Sequence, residues 1–280
     1  MKPAKLAQIL TDKFLHDDLR VPPTIGNYPT DVVEVGEIWA NPAVVIDASA
    51  QAVFTNRNRP AVAGDSIGHV NITAGTLGCL VNVGGKLCIL SNNHVLANVN
   101  QGANGNSILQ PGKADGGREP QDRVAKLESF PAISFTGTNR IDCAIAGTNS
   151  SVVARGSRAG YHIASQPGTP SVGMGVRKCG RTTGHTVGSI TSLTADVRVN
   201  YTVGGQVRSA FFDDQIQIVG SANGFGGRIN FSEGGDSGSI VVEQNSFRPV
   251  GLLFAGGNGV TFANPINLVV QRLNIQEFLG

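Results

Sequence analysis

Glu233-Gly234-Gly235-Asp236-Ser237-Gly238-Ser239 sets a serine among glycines, just ahead of the apolar run Ile240-Val241-Val242. A serine hydroxyl becomes a useful nucleophile only when a base takes its proton, and the tetrahedral intermediate it forms needs backbone N–H donors close by. Small flexible residues on both sides of the serine suit both demands. Taken alone, the segment also fits an ordinary glycine-rich turn. A candidate base stands in Ile89-Leu90-Ser91-Asn92-Asn93-His94-Val95-Leu96, where an apolar strand runs into a polar turn and a histidine. Most histidines so placed are hydrogen-bonded structural residues, so His94 gains weight only from its partners. The third residue is Asp142, at the head of Asp142-Cys143-Ala144-Ile145-Ala146. A half-buried carboxylate needs a partner, and an imidazole N–H is a good one.

Chain order separates the architectures that share this chemistry. The histidines are His16, His69, His94, His162 and His185, and all precede Ser237. An α/β-hydrolase places its histidine after the nucleophile, and its G-x-S-x-G elbow needs glycine where Ser239 stands. The order His94, Asp142, Ser237 is instead that of the chymotrypsin template. Two further segments carry the same likeness. Gly180-Arg181-Thr182-Thr183-Gly184-His185-Thr186-Val187-Gly188-Ser189-Ile190 resembles the G-x-T-T-G strand of bacterial trypsin-like proteases, and Val260-Thr261-Phe262-Ala263-Asn264-Pro265-Ile266-Asn267 resembles their entry into a C-terminal helix. From about Thr73 to Leu279 the chain thus resembles chymotrypsin-fold serine proteases of the alpha-lytic and streptogrisin type. The histidine segment with its long leading extension also resembles NARROW LEAF 1-type trypsin-like proteins.

The resemblance implies a double six-stranded β-barrel with the site in the cleft between the barrels, and a serine endopeptidase that needs no metal or cofactor. It implies catalytic His94, Asp142 and Ser237, and an oxyanion hole from the N–H groups of Gly235 and Ser237. Asp236 would be buried beside a resident cation, since no Ile-Val-Gly-Gly start is present to supply a liberated N-terminus; Lys178, flanked by Arg177 and Arg181, falls where bacterial relatives use arginine. The substrate-binding residues would be Phe231, Ser232, Ala255, Gly256 and Gly257. With Phe231 at the pocket bottom and no acid there, a small or medium apolar side chain is the expected preference. Gly256 and Gly257 would leave a strand edge bare for a substrate peptide to pair with.

The elements that must position these residues are legible in outline. Thirty-seven glycines among 280 residues and 15% charged residues, with β-branched residues throughout, predict an all-β protein. Apolar Leu6, Ile9, Leu10 and Phe14 have helical spacing and predict a leading helix over 4–15. Strands are expected over Leu77–Val83, Lys86–Leu90, Arg140–Ala146, Val187–Leu193, Asp196–Tyr201, Gln215–Val219, Ser239–Val242 and Val250–Phe254. Asn264 is expected to cap a closing helix with Pro265 at its first position. The reading is an N-terminal extension over 1–70, a first barrel over 71–170, and a second barrel with the C-terminal helix over 171–280.

Interleaved charge, net +2, leaves no basic stripe for nucleic acid. No run of about 18 apolar residues predicts a membrane helix. Cys79, Cys88, Cys143 and Cys179 lack metal-ligand spacing. With a hairpin turn at Gly84-Gly85, Cys79 faces Leu90 and Val81 faces Cys88, leaving the two cysteines diagonal and roughly 7 Å or more apart. Reduced thiols and an N-terminus that Asp12, Lys13, Asp17 and Asp18 break before any apolar region develops point to the cytoplasm. Asp65-Ser66 in a second G-D-S is expected to be structural, Asp115 and Asp122 to lie in a polar loop, and His185 on a strand surface. Two other functions fit the same residues: a catalytically silent peptide-binding module, and a self-processing enzyme restrained by residues 1 to about 70.

Overall fold

The computed structural model describes residues 24–25, 28–29, 35–40, 53–222 and 227–280. The helix expected over 4–15 lies outside them. The chain divides into two units, Met1–Gly36 and Glu37–Gly280. In the first, β1 (Thr24–Ile25) and β2 (Tyr28–Pro29) form an antiparallel pair.

The second unit is all-β and largely antiparallel. Its first half contains β3 (Ala61–Ala63), β4 (Ser66–His69), β5 (Gly75–Thr76), β6 (Cys79–Val83), β7 (Lys86–Ser91), β8 (Ser107–Leu109), β9 (Arg123–Ser129), β10 (Thr138–Asn139), β11 (Ala144–Gly147) and β12 (Val153–Ser157). Its second half contains β13 (Gly175–Gly180), β14 (Gly184–Val203), β15 (Gln206–Gly220), β16 (Ile240–Glu243), β17 (Pro249–Gly257), β18 (Val260–Pro265), a helix over Ile266–Leu273, and β19 (Glu277–Leu279). One eight-stranded sheet runs β19-β6-β7-β11-β9-β8-β4-β5; a seven-stranded sheet runs β10-β15-β14-β13-β16-β17-β18, with a further β15–β18 pairing that joins its last strand back to its second. The picture of two matching six-stranded barrels is therefore too simple, because the first sheet has eight strands whose end members, β19 and β5, do not pair.

Glycine pairs make both principal hairpins. Gly84 and Gly85 lie at φ +60° and +80°, and Gly204 and Gly205 at +58° and +81°, the left-handed conformations that a two-residue turn matched to strand twist requires. The first turn sets the register Cys79↔Leu90 and Val81↔Cys88, as the spacing predicts. The second joins β14 to β15, where the structure departs from expectation. The segments Val187–Leu193 and Asp196–Tyr201 are one strand of 20 residues, not two. Register shifts between Ile190 and Val197 absorb the irregular Ser192–Ala195 stretch, which reads in sequence as a break. Beyond the bulges Val197, Val199 and Tyr201 alternate inward.

The core under the first sheet includes Leu77, Ile89, Leu90, Leu96 and Ile108, and it extends to Ile266, Val269 and Leu273 on one face of the closing helix. Under the second sheet lie Val176, Ile190, Ile216, Ile218 and Leu253. All four cysteines are buried and unbridged. Burial pushes the thiols of Cys88 and Cys179 up to about 11, and those of Cys79 and Cys143 higher still. Iodoacetamide at pH 8 is therefore expected to leave the native chain unmodified and to alkylate all four residues in denaturant, as counted by intact mass. Among the described residues no helix is long and apolar enough to cross a membrane, and no group of three or more His, Cys, Asp or Glu is arranged to hold a metal ion.

Candidate active site

His94 sits in a one-turn helix, Asn93–Leu96, that follows directly from β7. The two asparagines before it anchor the turn: Asn92 Nδ2 donates to Asp142 O at 2.7 Å, and Asn93 Nδ2 donates to Asn100 Oδ1 and Pro131 O, both at 2.8 Å. Asp142 reaches the same place from the stretch between β10 and β11. Its Oδ2 lies 2.6 Å from His94 Nδ1, with both side chains essentially excluded from solvent.

Four donors surround this carboxylate. Asn93 N–H and His94 N–H donate to Oδ1 at 2.7 and 3.3 Å. The Tyr201 hydroxyl donates to Oδ2 at 3.0 Å, beside the imidazole. Burial, with Asp142 adjacent, holds the Tyr201 phenol far above its ordinary range, so it stays a neutral donor. The Asp142 main chain is held by Asn264, whose Oδ1 accepts the Asp142 N–H at 2.9 Å and whose Nδ2 donates to Gln215 Oε1 at 2.8 Å. The expected capping role of Asn264 is thereby corrected. Pro265 occupies the cap position without a side-chain bond, and the Asn264 side chain is fully buried against Asp142.

With Nδ1 donating to the carboxylate, the neutral imidazole has its lone pair on Nε2. That atom is buried and has no hydrogen-bond partner among the described residues. Ser237 is 4% exposed, and its Oγ lies 3.4 Å from Phe254 O. Its loop is fastened to the His94 side of the molecule through β5. Thr76 N–H donates to Ser237 O at 2.8 Å, and Thr76 Oγ1 donates to Gly235 O at 2.8 Å. Gly75 must lack a side chain here: a Cβ would stand 2.5 Å from Val95 Cγ2 and 3.2 Å from Ser237 O.

Within the serine loop Gly235 lies at φ +97°, and among the described residues neither its N–H nor that of Ser237 joins a backbone hydrogen bond. Asp236 between them is fully buried. Its Oδ1 accepts the N–H groups of Thr182 and Thr183 at 2.8 and 3.1 Å; its Oδ2 accepts Glu233 N–H at 3.0 Å and Thr183 Oγ1–H at 2.6 Å. Lys178 Nζ completes the set 3.1 Å from Oδ2, itself fully buried and also donating to Gly184 O. The cation paired with Asp236 is Lys178, with Arg181 turned away to Asp115 through two contacts of 2.6 Å.

A cavity of about 200 Å³ opens beside Ser237, lined by Ser232, Leu253, Ala255, Gly256 and Gly257 among others. Ser232 Oγ meets Thr261 Oγ1 at 2.6 Å on its wall. Phe231 is not among its lining residues. The ring is 1% exposed and packs with Val176, Ile190 and Ile218 under the second sheet, because alternation along the chain turns it inward while Ser232 faces the cavity. The acid nearest the cavity is Glu233, an exposed residue of its lining that sequence reasoning passed over. A second cavity, of about 340 Å³, is bordered by His94, Ile72, Val99, Thr202 and Gly204.

The remaining candidates lie elsewhere. Asp65 is buried in a two-pronged pair with Arg158 at 2.6 and 2.8 Å; Asp122 pairs with Arg57 at 2.6 Å, and His185 is exposed. Missed by sequence reasoning were Thr76, Tyr201 and Trp39, and Asn264 was read only as a helix cap. The partners of Thr76, Tyr201 and Asn264 lie far away in sequence, at Gly235 and Asp142.

No protein-family model and no curated protein sequence matches the chain. Solved structures do. Chymotrypsin from Cellulomonas bogoriensis superposes with a TM-score of 0.51 at 19% identity, covering 79% of this chain and 99% of that one. Alpha-lytic protease homolog N4 gives 0.53 at 17%, covering 79% and 99%. A glutamic-acid-specific serine protease with a histidine triad in substrate binding gives 0.51 at 16%, covering 79% and 100%. At these identities the likeness is one of backbone architecture, and what it establishes is that the chain has a chymotrypsin-like serine-protease fold.

Proposed function

We propose that the chain is a serine endopeptidase, with its two principal sheets standing as the two barrels of the fold. Ser237 is the nucleophile, His94 the general base and Asp142 the carboxylate that orients the imidazole. The observation that carries this reading is the fully buried His94–Asp142 pair, which leaves Nε2 as an unpartnered acceptor in a fold shared with serine proteases. In the reaction Ser237 Oγ turns from Phe254 O toward Nε2, gives up its proton and attacks the peptide carbonyl. The N–H groups of Gly235 and Ser237 receive the oxyanion. His94 then protonates the leaving amine, and water repeats the sequence to release the acid. No cofactor takes part in these steps.

The cavity beside Ser237 receives the side chain on the acyl side of the scissile bond. A volume of about 200 Å³ limits that side chain to a small or medium one, and an apolar group would rest on Leu253 and Ala255, with Ser232, Glu233 and Asn258 on the rest of the wall. A fluorophosphonate probe is expected to label the wild-type chain and to fail with Ser237→Ala and His94→Ala. Labelling that persists in Ser237→Ala would exclude Ser237 as the nucleophile.

A further inference from the structure

The bare strand edge expected at Gly256 and Gly257 is occupied. Trp39 pairs with Gly256 in an antiparallel bridge, each N–H donating to the other's carbonyl at 3.3 Å. On its other side the same segment pairs in parallel with β14: Asn200 N–H donates to Ile38 O at 2.9 Å, and Ala40 N–H donates to Asn200 O at 3.1 Å. Four main-chain bonds thus hold Ile38-Trp39-Ala40 as an inserted strand between β17 and β14. Ile38 and Ala40 are 3% and 1% exposed. Gly257 is small because of this strand; a Cβ there would stand 2.6 Å from Glu37 O and 3.2 Å from Ile38 Cδ1.

The direction of the strand matters as much as its presence. Antiparallel pairing to β17 means that the step from Trp39 to Ala40 leads toward Ala255 and Phe254, and Phe254 O is the atom that Ser237 Oγ contacts. Trp39 lines the cavity that contains Ser237, and Ala40 lines the one that contains His94. The segment therefore lies across the candidate site in the manner of an extended peptide added to a sheet edge.

We infer that Glu37–Ala40 is a built-in occupant of the substrate groove, and that the peptides the groove accepts share its chemistry: extended chains with a bulky apolar residue opposite Gly256 followed by a small one. The inference rests on reading the cleft as a peptide-hydrolysing site. A groove filled by its own chain is competent only in the fraction of molecules whose strand has lifted, so substrate binding is weakened by that fraction. Substrates and the intramolecular strand compete for one set of bonds.

Trp39 is the chain's only tryptophan, so its fluorescence reports the strand directly. The probe is the tryptophan-free peptide acetyl-Glu-Ile-Phe-Ala-amide, titrated into full-length Ser237→Ala. Saturable displacement, seen as a red shift of Trp39 emission, is expected. In parallel, full-length Trp39→Pro, which removes the N–H bonded to Gly256 O, and Ile38→Asp, which places a charge at a buried position, are expected to hydrolyse peptides at least tenfold faster than the parent at low substrate. Unchanged emission at saturating probe, together with equal rates in parent and both variants, would overturn the inference. A red shift with no hydrolysis by any of the chains would sustain the occupied groove and instead sink the catalytic reading.

Discussion

An Asp142→Asn chain is expected to fold as the parent does and to hydrolyse peptides about 10⁴-fold more slowly. The reason lies in how the two carboxylate oxygens are used. Oδ1 accepts two main-chain N–H groups, from Asn93 and His94, while Oδ2 faces His94 Nδ1 and the Tyr201 hydroxyl. An amide in this position keeps its oxygen toward the two fixed N–H donors and turns its NH₂ toward the imidazole. Nδ1 must then accept, which moves the ring proton to Nε2, where it faces the serine and abolishes the base. Steady-state kinetics on a peptide substrate, beside a thermal unfolding curve, would test this. A loss smaller than tenfold in a normally folded variant would remove the His94–Asp142 pair from the mechanism.

Lys178→Met is expected to cost about 3–5 kcal/mol of folding stability, because it leaves a buried carboxylate without its cation. Asp236 and Lys178 are both fully excluded from solvent, and Asp236 ties the Thr182–Thr183 backbone to the loop that carries Gly235 and Ser237. Asp236→Asn added to Lys178→Met removes the unpaired charge and is expected to recover part of that stability, since residues in contact are not additive. Urea unfolding of the parent, the single variant and the double variant measures both effects. If the single variant loses less than about 1 kcal/mol, the pair does not support the loop as described.

The candidate residues could be named from sequence because the signals are local: a serine among glycines, a histidine after an apolar strand, an aspartate leading one. Their chain order then excluded the main alternative architecture. The Gly84-Gly85 turn was readable for the same reason, since two residues with positive φ determine the register of the strands on both sides. The resemblance placed Lys178 near Asp236 with Arg177 and Arg181 beside it, and of the three it is Lys178 that contacts the carboxylate.

Other features depend on partners distant in the chain. Asn264 reads as a cap from its neighbours, yet 122 residues separate it from the Asp142 N–H that it accepts. Phe231 reads as a pocket floor until the second sheet supplies a core for its ring. Asp115 and Asp122, expected in a polar loop, each pair with an arginine far away in sequence, Arg181 and Arg57. The inserted strand at Trp39 has no periodic signature, because a few residues held on both edges by main-chain bonds need no particular side-chain pattern. Sequence by itself determined which groups could react and in what order they occur. Tertiary structure decided how the carboxylate is held, which cation steadies the serine loop and what fills the groove, since each depends on hydrogen bonds between segments that only folding brings together.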